Sequence, residues 1–179
     1  MEDFQINRYI DLCKLGNTDA FKYIVSEYQQ LVYTLAFKML CNEADAEDIT
    51  QETFIKAWQN ITRYKRQYKF STWIYKIAVN ACYDNLRSKQ NIEKVSISDY
   101  DAVSEVNQEE ILFNKELKEL ILKFTSGLSP KQKLIFMLCE IEELEIEEII
   151  QITGMTSSKI KSNLFLAKKY IKSKLSQYE

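Results

Sequence analysis

The chain has no histidine, one proline and three glycines among its 179 residues. Each scarcity excludes something. Without histidine there is no imidazole to act as a base near neutral pH or to complete a mixed Cys/His zinc site. The four cysteines, Cys13, Cys41, Cys82 and Cys139, contain no C-x-x-C pair, so their spacing offers neither a zinc site nor a disulfide framework. So few turn formers disfavour an all-β fold, which needs many tight turns. No apolar run reaches the roughly 18 residues needed to cross a bilayer, and Met1-Glu2-Asp3-Phe4 lacks the cationic start and apolar core of a signal peptide. These absences predict an all-α, soluble, cytoplasmic protein with buried, reduced thiols, no metal, no cofactor and no membrane insertion.

What is present is charge sorted by sign. The formal net charge is −2 and the isoelectric point about 5.5, which argues against a simple cationic coat for DNA. Within that near-neutral sum, Arg63, Lys65, Arg66, Lys69, Lys76, Arg87 and Lys89 face a single acid, Asp84, between positions 63 and 89. Positions 159–174 carry six lysines and no acid, whereas acids gather at 45–52, 99–110 and 140–148. This pattern describes discrete basic footprints on an acidic body.

Periodicity divides the chain into helices. Phe4, Ile6, Ile10 and Leu12 lean helical up to the stop at Gly16-Asn17, after which Thr18 or Asp19 can cap a second helix with a broad apolar stripe from Phe21 to Leu40. A third helix is expected from about Ala44 to Asn60, with Ala46, Ile49, Phe54, Ala57 and Trp58 inward. Positions 61–69 read as a loop, and Ser71 or Thr72 can cap a fourth helix from Trp73 to about Lys89. Composition then turns polar and acidic. A first domain over 1–90, a linker over 91–110 and a second domain over 111–179 follow from that shift. In the second domain, a helix from Ile111 to Phe124 stops at Ser126-Gly127, and Ser129-Pro130 opens the next, continued by Leu134, Ile135, Met137, Leu138 and Ile141. A short acidic helix from Ile146 to about Thr153, closed by Gly154, precedes a basic helix from Thr156 or Ser157 to about Leu175. That is the helix-turn-helix plan.

Three surfaces stand out. Between Arg63 and Lys76, cations alternate with aromatics, the combination that follows a phosphate backbone while bases stack on rings, at about 1–3 kcal/mol per base. Phe70, Trp73 and Tyr75 are in part equally well explained as core, since Trp73 and Ile77 share a face; Tyr64, Tyr68 and the four cations before Phe70 are hard to bury. On the acidic helix, Asp48, Gln51, Glu52 and Ile55 form a mixed patch suited to a partner helix, where a plain solvated face is the ordinary alternative. On the last helix, Ser157, Ser158, Lys159, Lys161, Ser162 and Asn163 occupy the turns that reach base edges, with Lys168, Lys169 and Lys172 placed for phosphates. Alone, that helix is as well explained as a solubilising lysine face. No paired carboxylates or activated cysteine suggest an enzyme.

The strings Asp45-Ala46-Glu47-Asp48-Ile49-Thr50-Gln51-Glu52-Thr53-Phe54 and Phe70-Ser71-Thr72-Trp73-Ile74-Tyr75-Lys76-Ile77-Ala78-Val79-Asn80 resemble those of bacterial RNA polymerase sigma factors of the sigma-70 family. The size and the missing middle domain resemble the small extracytoplasmic-function (ECF) group. The resemblance implies that core RNA polymerase is bound through Asp48, Gln51, Glu52, Phe54 and Ile55. It implies that the minus-ten promoter element is melted and read by Arg63, Tyr64, Lys65, Arg66, Tyr68, Lys69, Phe70, Trp73, Lys76, Asn80 and Arg87. The minus-thirty-five duplex would fall to Ser157, Ser158, Lys159, Lys161, Ser162, Asn163 and Lys168, and an anti-sigma factor is an expected partner. The family commonly has arginine where this chain has Asn163 and Leu166, which predicts weaker phosphate gripping and guanine reading upstream. It often has Ile-Ala where this chain has Ile149-Ile150. The rivals are a helix-turn-helix regulator, or a sigma-like decoy, without initiation activity.

Overall fold

The computed structural model describes residues 3–93 and 119–176, and every regular element among them is helical. The chain divides into two compact units, Met1–Ser88 and Lys89–Glu179. The expected linker falls almost entirely outside the described residues. Its first positions, 91–93, are the end of a helix instead.

The first unit holds α1 (Asp3–Lys14), α2 (Thr18–Leu40), α3 (Glu43–Asn60), a 3₁₀ turn (Ile61–Arg63) and α4 (Phe70–Glu93). Gly16, at φ +88°, takes the left-handed conformation that turns the chain out of α1. The cap of α2 is Asn17, whose side chain accepts from the Ala20 amide at 2.9 Å, and not Thr18 or Asp19. Asn has the short acceptor the N-cap needs, and Thr18 and Asp19 are left to the first turn. Cys41 stops α2 at φ 54°, and the next residue, Asn42, caps α3 by accepting from the Asp45 amide at 2.9 Å. One short corner thereby ends one helix and starts the next.

α2 packs on α1 and α3, and α4 joins them through Tyr28 against Phe70 and through Asn85 reaching Asp45. Ile10, Ile24, Val32, Leu35, Ile74 and Val79 are fully buried at the centre, each large aliphatic side chain worth about 1.5–3 kcal/mol on leaving water. α4 begins at Phe70, three residues before the expected start, and neither Ser71 nor Thr72 caps it. Phe70 and Thr72 are buried, so tertiary packing anchors this helix end.

The second unit holds α5 (described over 119–125), α6 (Pro130–Phe136) running into a π-helical turn (Met137–Ile141), α7 (Ile146–Thr153) and α8 (Ser157–Leu175). Ser129 and Gln132 cap α6 reciprocally, with Pro130 at the first helical position. The π turn adds a residue, closed by the Glu142 amide donating to the Met137 carbonyl. That extra residue rotates Ile141 outward, so it is exposed instead of extending the apolar side of α6. Gly154, at φ +68°, ends α7, and Thr156 caps α8. Leu134, Ile135, Leu138, Ile149, Ile152, Ile160 and Ala167 close the core, with α8 lying on both α6 and α7.

Candidate nucleic-acid interface

The loop between α3 and α4 is built around Tyr64. This residue is only 4% exposed; its ring meets Phe70 edge-on at 5.2 Å and Trp73 at 5.5 Å. Its hydroxyl donates to the Tyr68 carbonyl at 2.7 Å. Tyr64 and Phe70 are therefore the floor of the loop, a correction to their expected place on the binding surface: the aromatic cluster gives them more apolar cover than a nucleic acid leaves room to share. Trp73 is half-buried at the edge of that cluster, and Tyr75 is core. Tyr68 remains 43% exposed, and Arg63, Lys65, Arg66 and Lys69 are exposed beside it.

α1 braces this loop, a role its sequence did not announce. Lys14 donates its ammonium to the Tyr64 carbonyl at 2.9 Å and lies over the Tyr64 ring at 5.6 Å. Arg66 pairs with the Asp11 carboxylate and reaches the Asn7 carbonyl at 3.3 Å. Between α1 and the loop lies a cavity of about 210 Å³, lined by Ile6, Asn7, Tyr64, Arg66, Gln67, Tyr68, Lys69 and Phe70. On α4, Lys76, Asn80 and Arg87 are exposed at helical spacing along one side. Arg87 lies 3.8 Å from Asp84, a pair so exposed that solvent leaves it weak.

On α3, Asp48, Gln51 and Ile55 share an exposed face, with Ile55 57% accessible. Glu52 is half-exposed and paired with Lys56 at 2.5 Å. Phe54 points the other way. It is buried against Phe21 at 6.3 Å, so its expected contact with a partner is corrected to support from beneath, as the helical turn places 54 and 55 on different faces.

In the helix-turn-helix, Ser158, Lys159, Lys161, Ser162 and Lys168 are exposed on α8, and Ser157 and Asn163 are half-buried. The Asn163 amide donates back to the Lys159 carbonyl at 2.8 Å. Lys168 is held by Glu140 at 2.8 Å, so the first unit's basic footprint and this one each contain a cation already engaged by a carboxylate. Ile149 is fully buried and Ile150 half-buried, so the Ile-Ile pair packs without leaving the motif. The exposed Phe165 and Leu166 carried no signal beyond helical phase, and the engaging carboxylates lie 28 and 55 positions from their cations.

The thiols are quiet. Burial pushes Cys82 up to about 12 and Cys13 up to about 11, the reverse of a reactive cysteine. Among the described residues no group of three or more acidic or sulfur side chains could hold a metal, and no helix is long and apolar enough to cross a membrane.

A helical unit with a braced basic-aromatic loop, and a second with a lysine-lined helix-turn-helix, define a DNA-binding protein of the transcription machinery. Residues 24–92 match the family model Sigma-70 region 2, and residues 118–171 match Sigma-70, region 4. The ECF RNA polymerase sigma factor SigW of Bacillus subtilis is 30% identical, over 97% of this chain and 98% of that protein. The fold matches CnrH, solved in complex with the cytosolic domain of CnrY (TM-score 0.73, 16% identity, covering 98% of this chain and 99% of that one). It also matches RpoE of Bartonella quintana, solved with the anti-sigma factor NepR (TM-score 0.68, 19% identity, 87% and 96% covered). The chain belongs to the ECF RNA polymerase sigma factors of the sigma-70 family, and it directs transcription initiation. A helix-turn-helix regulator lacking initiation activity would leave the whole first matched stretch without a counterpart.

Proposed function

We propose that the two units divide promoter recognition between them, the first (1–90) binding core polymerase and the minus-ten element and the second (111–179) binding the minus-thirty-five duplex. Asp48, Gln51, Glu52 and Ile55 dock α3 on a basic helical surface of the polymerase. Tyr68, with Arg63, Lys65, Arg66 and Lys69, receives separated strands over the cavity beside α1, and Trp73, Lys76, Asn80 and Arg87 continue the track along α4. Ser157, Ser158, Lys159, Lys161, Ser162, Asn163 and Lys168 meet the duplex. The protein performs no covalent chemistry and works in the cytoplasm, and its neighbours' complexes support an anti-sigma factor as a further partner. Its work is differential binding: stacking and phosphate contacts offset the few kcal/mol that unstacking a base costs.

One observation carries this reading. The Tyr64–Phe70–Trp73 cluster holds a loop of exposed cations and one exposed tyrosine rigidly over a cavity. Permanganate probing of promoter thymines tests it. Core polymerase with the wild-type protein should open a promoter, and Tyr68→Ala should lower that opening at least tenfold while binding to closed duplex changes less than twofold. Equal losses in both would sink strand capture. Reversing Asp48 and Glu52 to lysine should abolish co-purification with core polymerase, and retention would remove the docking assignment.

A further inference from the structure

Phe165 and Leu166 are 67% and 48% exposed on α8. Adjacent large apolar side chains on a helix otherwise lined by lysine need an occupant that explains both characters. Ile160, Leu164, Ala167 and Ile171 turn inward, with Ile160 and Ala167 fully buried. At 100° per residue the opposite side carries Ser158, Ser162 and Lys169, with Phe165 and Leu166 on either flank of Ser162. Lys161, Ser162, Phe165 and Leu166 line one shallow depression there. The apolar pair therefore sits in the middle of the outward face, among the serines placed to reach base edges.

The charge selects the occupant. Positions 159–174 carry six lysines and no acid, a complement to a polyanion and a poor one to a basic or neutral protein surface. The major groove of a duplex presents one apolar group, the thymine 5-methyl. Asn163, the amide that could read adenine, spends a donor on the Lys159 carbonyl. We propose that Phe165 and Leu166 read thymine 5-methyl groups in the major groove of the upstream promoter element, so that A·T pairs are selected there by apolar contact. This rests on α8 being the duplex-reading helix.

Replacing thymidine by deoxyuridine removes only the methyl and keeps every hydrogen bond. Promoters are first recovered by run-off transcription with core polymerase and the full chain, and the upstream thymidines are then replaced one at a time. Wild-type holoenzyme should bind about fourfold more weakly for each contacted methyl lost. Leu166→Ala or Phe165→Ala should bind thymidine templates more weakly and be indifferent to the replacement at its own position. Both side chains are exposed, so circular dichroism should show both variants folded. Equal binding to thymidine and deoxyuridine at every upstream position overturns the inference, as does an upstream element without thymine. Loss of polymerase association with unchanged duplex binding in these variants would also overturn it, assigning the face to a protein. In all three cases initiation by the wild type persists. Absence of initiation or of upstream protection on every template would instead sink the duplex-reading role itself.

Discussion

The Tyr64 hydroxyl donates to the Tyr68 carbonyl at 2.7 Å, so one buried tyrosine fixes the backbone that carries one exposed tyrosine. The bond spans the four residues holding Lys65 and Arg66, and sets where their side chains leave the surface. Tyr64→Phe keeps the ring contacts with Phe70 and Trp73 and deletes only the donor. A loss of about 1 kcal/mol in stability is expected, with strand opening reduced several-fold and closed-duplex binding unchanged. Chemical denaturation and permanganate reactivity measure the two effects. Unchanged opening would mean that the loop's order is set by α1 alone.

Glu140 holds Lys168 at 2.8 Å, with both side chains partly exposed. Such a pair is worth at most about 1 kcal/mol, yet it occupies an ammonium placed for a phosphate. Glu140→Gln should release it. Duplex affinity at low salt should rise, and the slope of log affinity against log salt should steepen by about 0.9 for one added phosphate contact. Fluorescence anisotropy across a salt series reads this directly, and an unchanged slope would remove Lys168 from the phosphate set.

The legible parts of this molecule are those whose causes are contiguous in the chain. Ser129-Pro130 contains its own cap and its own fixed φ, and Gly154 supplies the left-handed residue that ends α7. Both appear where their local chemistry puts them. α8 was legible for the same reason, from Thr156 onward. The start of α4 was not, because Phe70 is drawn into the helix by Tyr28 and Tyr64, residues 42 and 6 positions away, and no local cap signals that. Tyr64 looked exposed because its neighbours are cations. Its burial depends on the ammonium of Lys14, which satisfies the Tyr64 carbonyl from another helix. Arg66 and Asp11 pair across 55 positions, beyond any periodicity. The surfaces could be located from composition, but which of their residues form the floor and which the face required the packing.

The raised thiols of Cys82 and Cys13 predict an alkaline limit. Both protons are retained in the folded protein to about 12 and 11, against an ordinary value near 9.0. The unfolded chain releases them first, so it binds fewer protons through that window and stability falls as pH rises. The contribution is fully present below about pH 9 and is lost above it, at up to about 1.4 kcal/mol per pH unit for each proton withheld. Urea midpoints at about pH 8 and about pH 10 should show the decline, and Cys82→Ala should make it shallower. A flat profile would mean that solvent reaches Cys82 in the native state.

Gly127 makes a case in which absence of a side chain decides the packing. Its φ is not left-handed, so backbone freedom does not explain it. A Cβ at this position would lie 2.3 Å from the Tyr170 hydroxyl oxygen and 2.5 Å from Cζ of the same ring. Real atoms do not approach so closely. Gly127→Ala must therefore displace Tyr170, which stands on α8 with the Lys174 ammonium 5.7 Å from its ring centre. Overpacking of this kind costs about 1–3 kcal/mol, although alanine would otherwise favour the folded state by restricting the unfolded chain. Because Tyr170 lies on the helix that carries the duplex-facing lysines, its displacement should also weaken upstream binding several-fold while leaving strand opening on a pre-melted template unaffected. Tyr170→Ala made in the Gly127→Ala background should recover stability relative to the sum of the single losses, since it removes the atoms that clash. Strictly additive losses in that double-mutant cycle would show that the two residues do not meet.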